Sequence, residues 1–475
     1  MRLLIAGGGG FRVPLIYRAL VSGSFSGLVT ELVLYDVDPA RLDAVTAVLD
    51  SMPGSHGARL PVHATTDPAD ALTGVGMVFA AIRPGGTAGR IADEKAAQDL
   101  GLLGQETTGA GGISYALRTI PHMLDLARLM REHCPQAWLI NFTNPAGMVT
   151  EALLPLLGHR VVGICDSASG LVQRAARAAG VSLPEGRLDG VGYYGLNHLG
   201  WLYRLESGGR DALPGLLVDA PALQSFEEGR LFPQPFLAEL GLLPNEYLYY
   251  YYQRDAARQA MRAMGRTRGE AIHTQQQELY PRLAASGPDA YRLWEEARRS
   301  REEGYLAEAR RDGERRNEED LAGGGYERVA LAAMRALAGG GETQLILNTR
   351  NALLPSEGTE TRPAHPGTAD PGPSRPAIPG LPEDAVVEVP CAVTAEGAFP
   401  LPQQRPDTPQ LQLLQRVKEV ERFTVRAAAT GDRTAALEAF ARHPLVDSPE
   451  LAAKLLAGYE QAFPDLGKNW TGGGR

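Results

Sequence analysis

Met1-Arg2-Leu3-Leu4-Ile5-Ala6-Gly7-Gly8-Gly9-Gly10 opens the chain and decides how the rest is read. Leu3 to Ala6 is a short apolar run that stops at four glycines, and a helical pattern comes next with Leu15, Ile16, Ala19 and Leu20 on one face. A strand, a glycine-rich turn and a helix in that order bring backbone amides close to a pyrophosphate at the positive end of the helix. The turn departs from the usual fingerprint: counted from Gly8, Gly10 is in place but Val13 stands where the third glycine belongs. Asp36 ends the next apolar run, Leu32 to Tyr35, where a carboxylate accepts from both ribose hydroxyls and disfavours a 2′-phosphate. Gly7, Gly8, Gly9, Gly10 and Asp36 together predict NAD; a tight turn with a capping aspartate is the plainer alternative.

Outward from this turn, further short apolar runs alternate with helical patterns: Met77 to Ile82, Trp138 to Ile140 and Val161 to Ile164. That alternation predicts βαβ units. The expected fold is α/β: a Rossmann-like, doubly wound parallel domain over residues 1–195, then an α+β domain over 196–475 carrying substrate and oligomer contacts. In the second half, strands are expected at Leu345 to Leu347 and Val386 to Val393. The Glu/Arg-dense stretch Arg292 to Asp320 reads as solvated helix with surface charge pairs. Prolines crowd about 357–376, which predicts a mobile loop, and Gly472 to Arg475 a frayed tail.

The balance of charge, 47 − 56 = −9, argues against a nucleic-acid partner. Three cysteines, Cys134, Cys165 and Cys391, cannot make a disulfide framework, so a reducing, cytoplasmic setting is expected. No apolar run is long enough for a membrane span, and the Met1–Ala6 stretch is too short for a signal peptide.

Several loops carry candidate chemistry. Gly104 to Gly112 combines Glu106, two threonines and many glycines ahead of a helix, a loop that lets backbone approach a ligand. Asn141-Phe142-Thr143-Asn144-Pro145 comes after a buried strand, at the sheet edge where open α/β sheets bind ligands; an Asn-Pro helix start is the plainer reading. Cys165-Asp166 ends another strand, and Asn197-His198 comes after Tyr193 to Leu196. A strand-end cysteine is ordinarily a small hydrophobe, and Cys165 and His198 have no recognised metal spacing. The tyrosines of Tyr247 to Tyr252 are too closely spaced for one helix face and are expected to fill a core or an interface; a nearby cation would let one act as a phenolic base.

Taken together these segments resemble glycoside hydrolase family 4, most closely its 6-phospho-β-glucosidases. The likeness rests on Gly104–Gly112 with Tyr115 to Pro121, Asn141–Gly147, Gly163–Asp166, Gly195–Trp201, Pro244–Tyr251, Arg266-Thr267-Arg268, Val387 to Cys391 and Ala439 to Val446. It implies hydrolysis with NAD and a divalent metal, usually Mn²⁺, in place of paired carboxylates. In that chemistry C3 of the sugar is oxidised by hydride transfer, and the acidified C2 proton passes to a base. The aglycone is eliminated, water adds, and the hydride returns. The resemblance implies Cys165 and His198 as metal ligands, Tyr247 as the C2 base, Asn144 and Arg268 binding the sugar with Arg90 beside it, and Glu106 at the nicotinamide–sugar junction. It also implies a phosphorylated glycoside or disaccharide substrate and a homodimer or homotetramer.

Two departures matter. The family's Gly-Gly-Gly-Ser-Thr-Tyr-Thr-Pro becomes Gly7 to Pro14 with Phe11, Arg12 and Val13, losing hydroxyls and adding a charge. Residue 166 is Asp, where β-specific members carry Asn and the 6-phospho-α-glucosidases carry Asp as a candidate general acid. A 6-phospho-α-glucosidase is therefore the near alternative. A malate- or lactate-type NAD-dependent dehydrogenase and a non-catalytic NAD sensor are the others.

Overall fold

The computed structural model describes residues 1–21, 25–53, 59–304, 307–310, 325–353, 375–468 and 470. The expected loop at 357–376, apart from its last two positions, and the tail at 472–475 lie outside them.

Six strands build the parallel half: β1 (Arg2–Ala6), β2 (Glu31–Tyr35), β3 (Val62–Thr65), β4 (Met77–Ala80), β5 (Trp138–Asn141) and β6 (Val161–Gly163). Their order is β3-β2-β1-β4-β5-β6, all parallel. Leu3 and Ile5 face one core while Leu4 and Ala6 face another. Burial on both faces is why this run is continuously apolar rather than alternating. The order reverses between β1 and β4, and beyond the carboxyl ends of those strands a crevice opens for a ligand.

The second half does not fold apart from the first; it extends the same sheet. The remaining strands are β7 (Val191–Leu196), β8 (Leu199–Ser207), β9 (Arg210–Asp211), β10 (Leu243–Pro244), β11 (Thr343–Arg350), β12 (Val386–Thr394) and β13 (Gly397–Pro400). The late pair β11–β12 is inserted between β6 and β7, antiparallel to both. The seams are narrow: Asn348 registers with Gly163, and Glu388 with Gly195. A Cβ on Gly163 would lie 2.9 Å from the Asn348 side chain, so close approach of the strands requires glycine there. The strands expected at 345–347 and 386–393 are both present, longer than their apolar runs.

A third core joins the C-terminal helices Thr408–Thr430, Arg433–Arg442 and Pro449–Ala462 to helices Gly86–Asp99 and Ala110–His133. Phe440 stacks on Tyr459 at 5.6 Å inside it. Among the described residues no helix is long and apolar enough to cross a membrane. The helix Ala290–Glu303 corrects the expectation of a wholly solvated stretch. Arg292 and Glu296 do pair at the surface, but Trp294 is buried, its indole donating to the Phe11 carbonyl at 2.8 Å.

Candidate active site

A cavity of about 1210 Å³ lies along the carboxyl ends of β1, β4, β5 and β6. Gly7 and Gly10 line it; Gly8 and Gly9 do not. Gly7 has φ +93°, and a Cβ there would meet the Ala81 carbonyl at 2.6 Å. Gly8 instead lets the turn lie against Leu34 and Tyr35 of β2, and Gly9 lets it lie against Asp36 and Arg41. The Gly9 amide donates to Asp36 Oδ2 at 3.0 Å. Asp36 also accepts from the Asp38 amide at 3.1 Å, and its carboxylate lines the cavity. A narrow glycine turn with a carboxylate fixed beside it fits the pyrophosphate and ribose of a dinucleotide.

One wall is cationic. Glu106 bridges Arg83 at 2.7 Å and Arg90 at 2.8 Å. Despite burial, those guanidiniums hold its carboxyl down at about 2. Arg90 also pairs with Glu94 at 2.7 Å, and Glu94 accepts from the Gly269 amide at 2.8 Å. That contact ties the wall to helix Arg268–Ala285, which Thr267 and Glu270 cap reciprocally. Arg268 lines the cavity while donating to the carbonyls of Gly304 and Arg301. Asn144, joined to Pro145 by a cis bond, lines it too; its Nδ2 donates to the Phe142 carbonyl at 3.3 Å and its Oδ1 is buried without a hydrogen-bond partner among the described residues. An unpaired acceptor there is suited to a hydroxyl donor.

The other wall sets neutral groups beside one carboxylate, Asp166. Cys165 is a buried free thiol; burial, then the Glu388 and Asp166 carboxylates, push it well above the usual thiol range. Burial depresses His198 to about 4, leaving a neutral imidazole. His198 has φ +64°, a conformation rare outside glycine, and its ring stacks on Tyr247 at 3.8 Å and 13°. Cys165, Asp166, His198 and Tyr247 all line the cavity. Of the tyrosine run, Tyr249 and Tyr250 go to the core, and Tyr252 accepts from the Trp201 indole at 3.1 Å.

The donor set fits a metal only in part supplied by protein. No cluster of three or more His, Cys, Asp or Glu occurs among the described residues. A thiolate and an imidazole would leave coordination positions for sugar oxygens, as an open catalytic site requires. Behind this wall lies Glu388, which the sequence offers only as part of a matching segment. Its carboxylate accepts from Tyr193 at 2.9 Å, Asn348 at 3.1 Å and Asn197 at 3.4 Å. Asn197 Oδ1 in turn accepts from the Ala146 amide at 3.1 Å. Glu388 therefore anchors the residue before His198 and the loop after Asn144. Burial raises it to about 7.

Every site residue expected from the sequence, except Gly8 and Gly9, lines this one cavity. Arg83 and Arg301 were not expected there. Arg83 sits at a strand's carboxyl end, which is a usable signal. Arg301 lies seven positions after Trp294, two helical turns along the same face.

Residues 2–181 match the model of the family 4 glycosyl hydrolases, and residues 193–446 match that of the family 4 glycosyl hydrolase C-terminal domain. The chain belongs to glycoside hydrolase family 4. A probable 6-phospho-beta-glucosidase of Bacillus subtilis is 29% identical over 96% of this chain and 95% of its own length. The 6-phospho-alpha-glucosidase 1 of Lacticaseibacillus paracasei is 35% identical, but over 52% of this chain and 59% of its own. The 6-phospho-beta glucosidase of Thermotoga maritima, in a structure with manganese, NAD+ and glucose-6-phosphate, superposes with TM-score 0.75 at 26% identity. That match covers 98% of this family 4 chain and 99% of the Thermotoga one. Family membership sets aside the dehydrogenase and sensor readings.

Proposed function

We propose that this family 4 enzyme hydrolyses 6-phospho-β-glucosides with NAD and Mn²⁺. The observation that carries the reading is one cavity with a dinucleotide turn at one end and two unlike walls, one of arginines and one holding a neutral Cys165/His198 pair beside Tyr247. Sequence likeness that runs the full length with the β-glucosidases, but only half of it with the α-glucosidases, favours the β anomer.

Asp36 and the Gly7–Gly10 turn orient the dinucleotide. Arg90, Arg268 and Asn144 hold the sugar 6-phosphate and its neighbouring hydroxyls, with Glu106 fixing the guanidinium of Arg90. Cys165 and His198 would hold the metal; when bound, NAD would supply hydride exchange at C3 and the metal Lewis-acid stabilisation of negative charge on the sugar. Tyr247 takes the C2 proton, with its ring held in place by the stack on His198. Asp166 lies beside this pair and protonates a poor leaving group. That carboxylate is also the specific observation favouring a 6-phospho-α-glucosidase as the second reading.

This reading places the enzyme in the cytoplasm, where its three buried free cysteines stay reduced, as a homodimer or homotetramer. The test is hydrolysis of α- and β-nitrophenyl glucosides, with and without 6-phosphate, in NAD⁺, Mn²⁺ and reductant. The β 6-phosphate is expected to turn over without net NADH, and chelation or removal of NAD to stop it. Turnover that survives both removals contradicts the reading. Sedimentation velocity tests the oligomer.

A further inference from the structure

Most guanidiniums lining the cavity have a carboxylate or carbonyl partner, as Arg83, Arg90 and Arg268 show. Arg12 and Arg301 are different. Both line the cavity, and among the described residues neither makes an ion pair or a side-chain hydrogen bond. Arg12 is exposed into the space, and Arg301 is half-buried.

Their placement is built rather than incidental. The Phe11 carbonyl accepts from the Trp294 indole, and the Arg12 carbonyl accepts from Tyr326 at 2.9 Å. The turn is thereby clamped between helices Ala290–Glu303 and Tyr326–Leu337. The Arg12 guanidinium lies 5.5 Å from the Tyr326 ring centroid, and that of Arg301 4.9 Å from the Phe11 ring centroid. Arg268 fixes the end of the helix bearing Arg301 through the Arg301 carbonyl at 3.4 Å. Burial and four neighbouring guanidiniums, Arg12 foremost, depress the Arg301 pKa. Burial opposes the Arg12 charge, and the carboxylates of Asp166, Glu302 and Glu327 act at longer range to raise its pKa; none of the three is within ion-pair distance. Two ring-braced guanidiniums, neither with a contact ion pair among the described residues, favour a bound anion between them.

We infer that Arg12 and Arg301 form a second anion subsite, beside the glycine turn, for an oxyanion, phosphate or carboxylate, other than the sugar 6-phosphate. It rests on the function proposed above. Two sources offer that chemistry: the pyrophosphate of the dinucleotide, and an acidic substituent on the aglycone. The first would sit against the turn itself, the second toward Asp166.

The full-length wild type is first titrated with NAD⁺ and with glucose 6-phosphate. Failure to bind either overturns the proposed function and this subsite with it, whereas binding of both leaves the subsite to stand on its variants. R12M and R301M are then titrated with the same two ligands. Their kcat/KM is also compared on phenyl and para-carboxyphenyl 6-phospho-β-glucosides. The expected result is one of two. A loss of NAD⁺ affinity of about tenfold or more assigns the pyrophosphate. A loss of about tenfold in preference for the carboxylated aglycone assigns the substrate. In either case glucose 6-phosphate affinity stays within about threefold of wild type. R12K and R301K, which keep the charge, should recover part of the loss; R12Q and R301Q, which remove the charge but keep a polar side chain, stand in if a methionine variant does not fold. Unchanged NAD⁺ affinity and aglycone preference overturn the subsite, and so does a loss confined to glucose 6-phosphate.

Discussion

The two walls of the cavity solve opposite electrostatic problems. On the arginine wall charge is kept: Glu106 stays ionised because Arg83 and Arg90 grip it. On the facing wall charge is withheld: burial keeps the Cys165 thiol protonated and the His198 imidazole neutral. Permanent cations suit a phosphate that arrives charged. Neutral ligands suit a cation whose binding itself releases the thiol proton. A site with both walls charged in advance would bear unpaired charge on each side before any ligand came.

The comparison breaks most completely at the neutral wall. Cys165→Ser or His198→Ala should weaken Mn²⁺ binding more than about 100-fold, with activity falling alongside; titration followed by electron paramagnetic resonance reads this directly. Cys134→Ala and Cys391→Ala are the controls, since neither lines the cavity, and normal metal affinity in Cys165→Ser would remove that residue from the site.

Asp166 belongs to neither wall by charge, which a second variant sharpens. Asp166→Asn should slow alkyl or disaccharide 6-phosphates by about 10²–10⁴-fold, and nitrophenyl substrates little, if it donates a proton to the leaving oxygen. Equal slowing of both substrate types makes it a support of the metal site instead.

A smaller effect lies behind the neutral wall. Glu388→Gln keeps the shape but converts an acceptor of three hydrogen bonds into a mixed group. Mn²⁺ affinity should fall about 10- to 100-fold while glucose 6-phosphate affinity is unchanged. Parallel loss of both ligands would mean that the sheet seam, not the metal wall, has been damaged.

The smallest concerns acid. His443 lines a recess that His198 also borders; its Nδ1 accepts from the Leu445 amide at 3.1 Å, and burial lowers it to about 3. The unfolded chain takes up that proton near pH 6.5 and the folded chain does not. Stability from this group is therefore complete above about pH 6.5 and declines as pH falls toward 3, at most about 1.4 kcal/mol per pH unit. Urea midpoints compared at neutral and mildly acidic pH should converge in His443→Gln.

Legibility in the sequence tracked burial. The parallel strands could be read because both their faces are buried, leaving short apolar runs that end in loops. The glycine turn, Asp36 and the strand-end segments marked the carboxyl edge of the sheet, and nearly the whole site with it. The shared sheet was not legible: β11 and β12 look like an independent pair, and nothing local reports that their neighbours are β6 and β7. Asn348 and Glu388 are polar residues in apolar strands, which marks them as special without saying what they touch. Arg301 was hidden by its charged neighbours, because a helix with one face on a cavity and another in water has the composition of a solvated one.

The insertion of β11–β12 between β6 and β7 also sets a schedule for assembly on the ribosome. The glycine turn and its parallel strands are complete once residue 163 has emerged. Cys165 and His198 straddle a gap that β11 and β12 fill, so the shelf behind these two proposed metal ligands closes only after most of the chain is made. A nascent chain can thus present a dinucleotide fold long before it has a metal site, and any chain released in between would hold the first without the second.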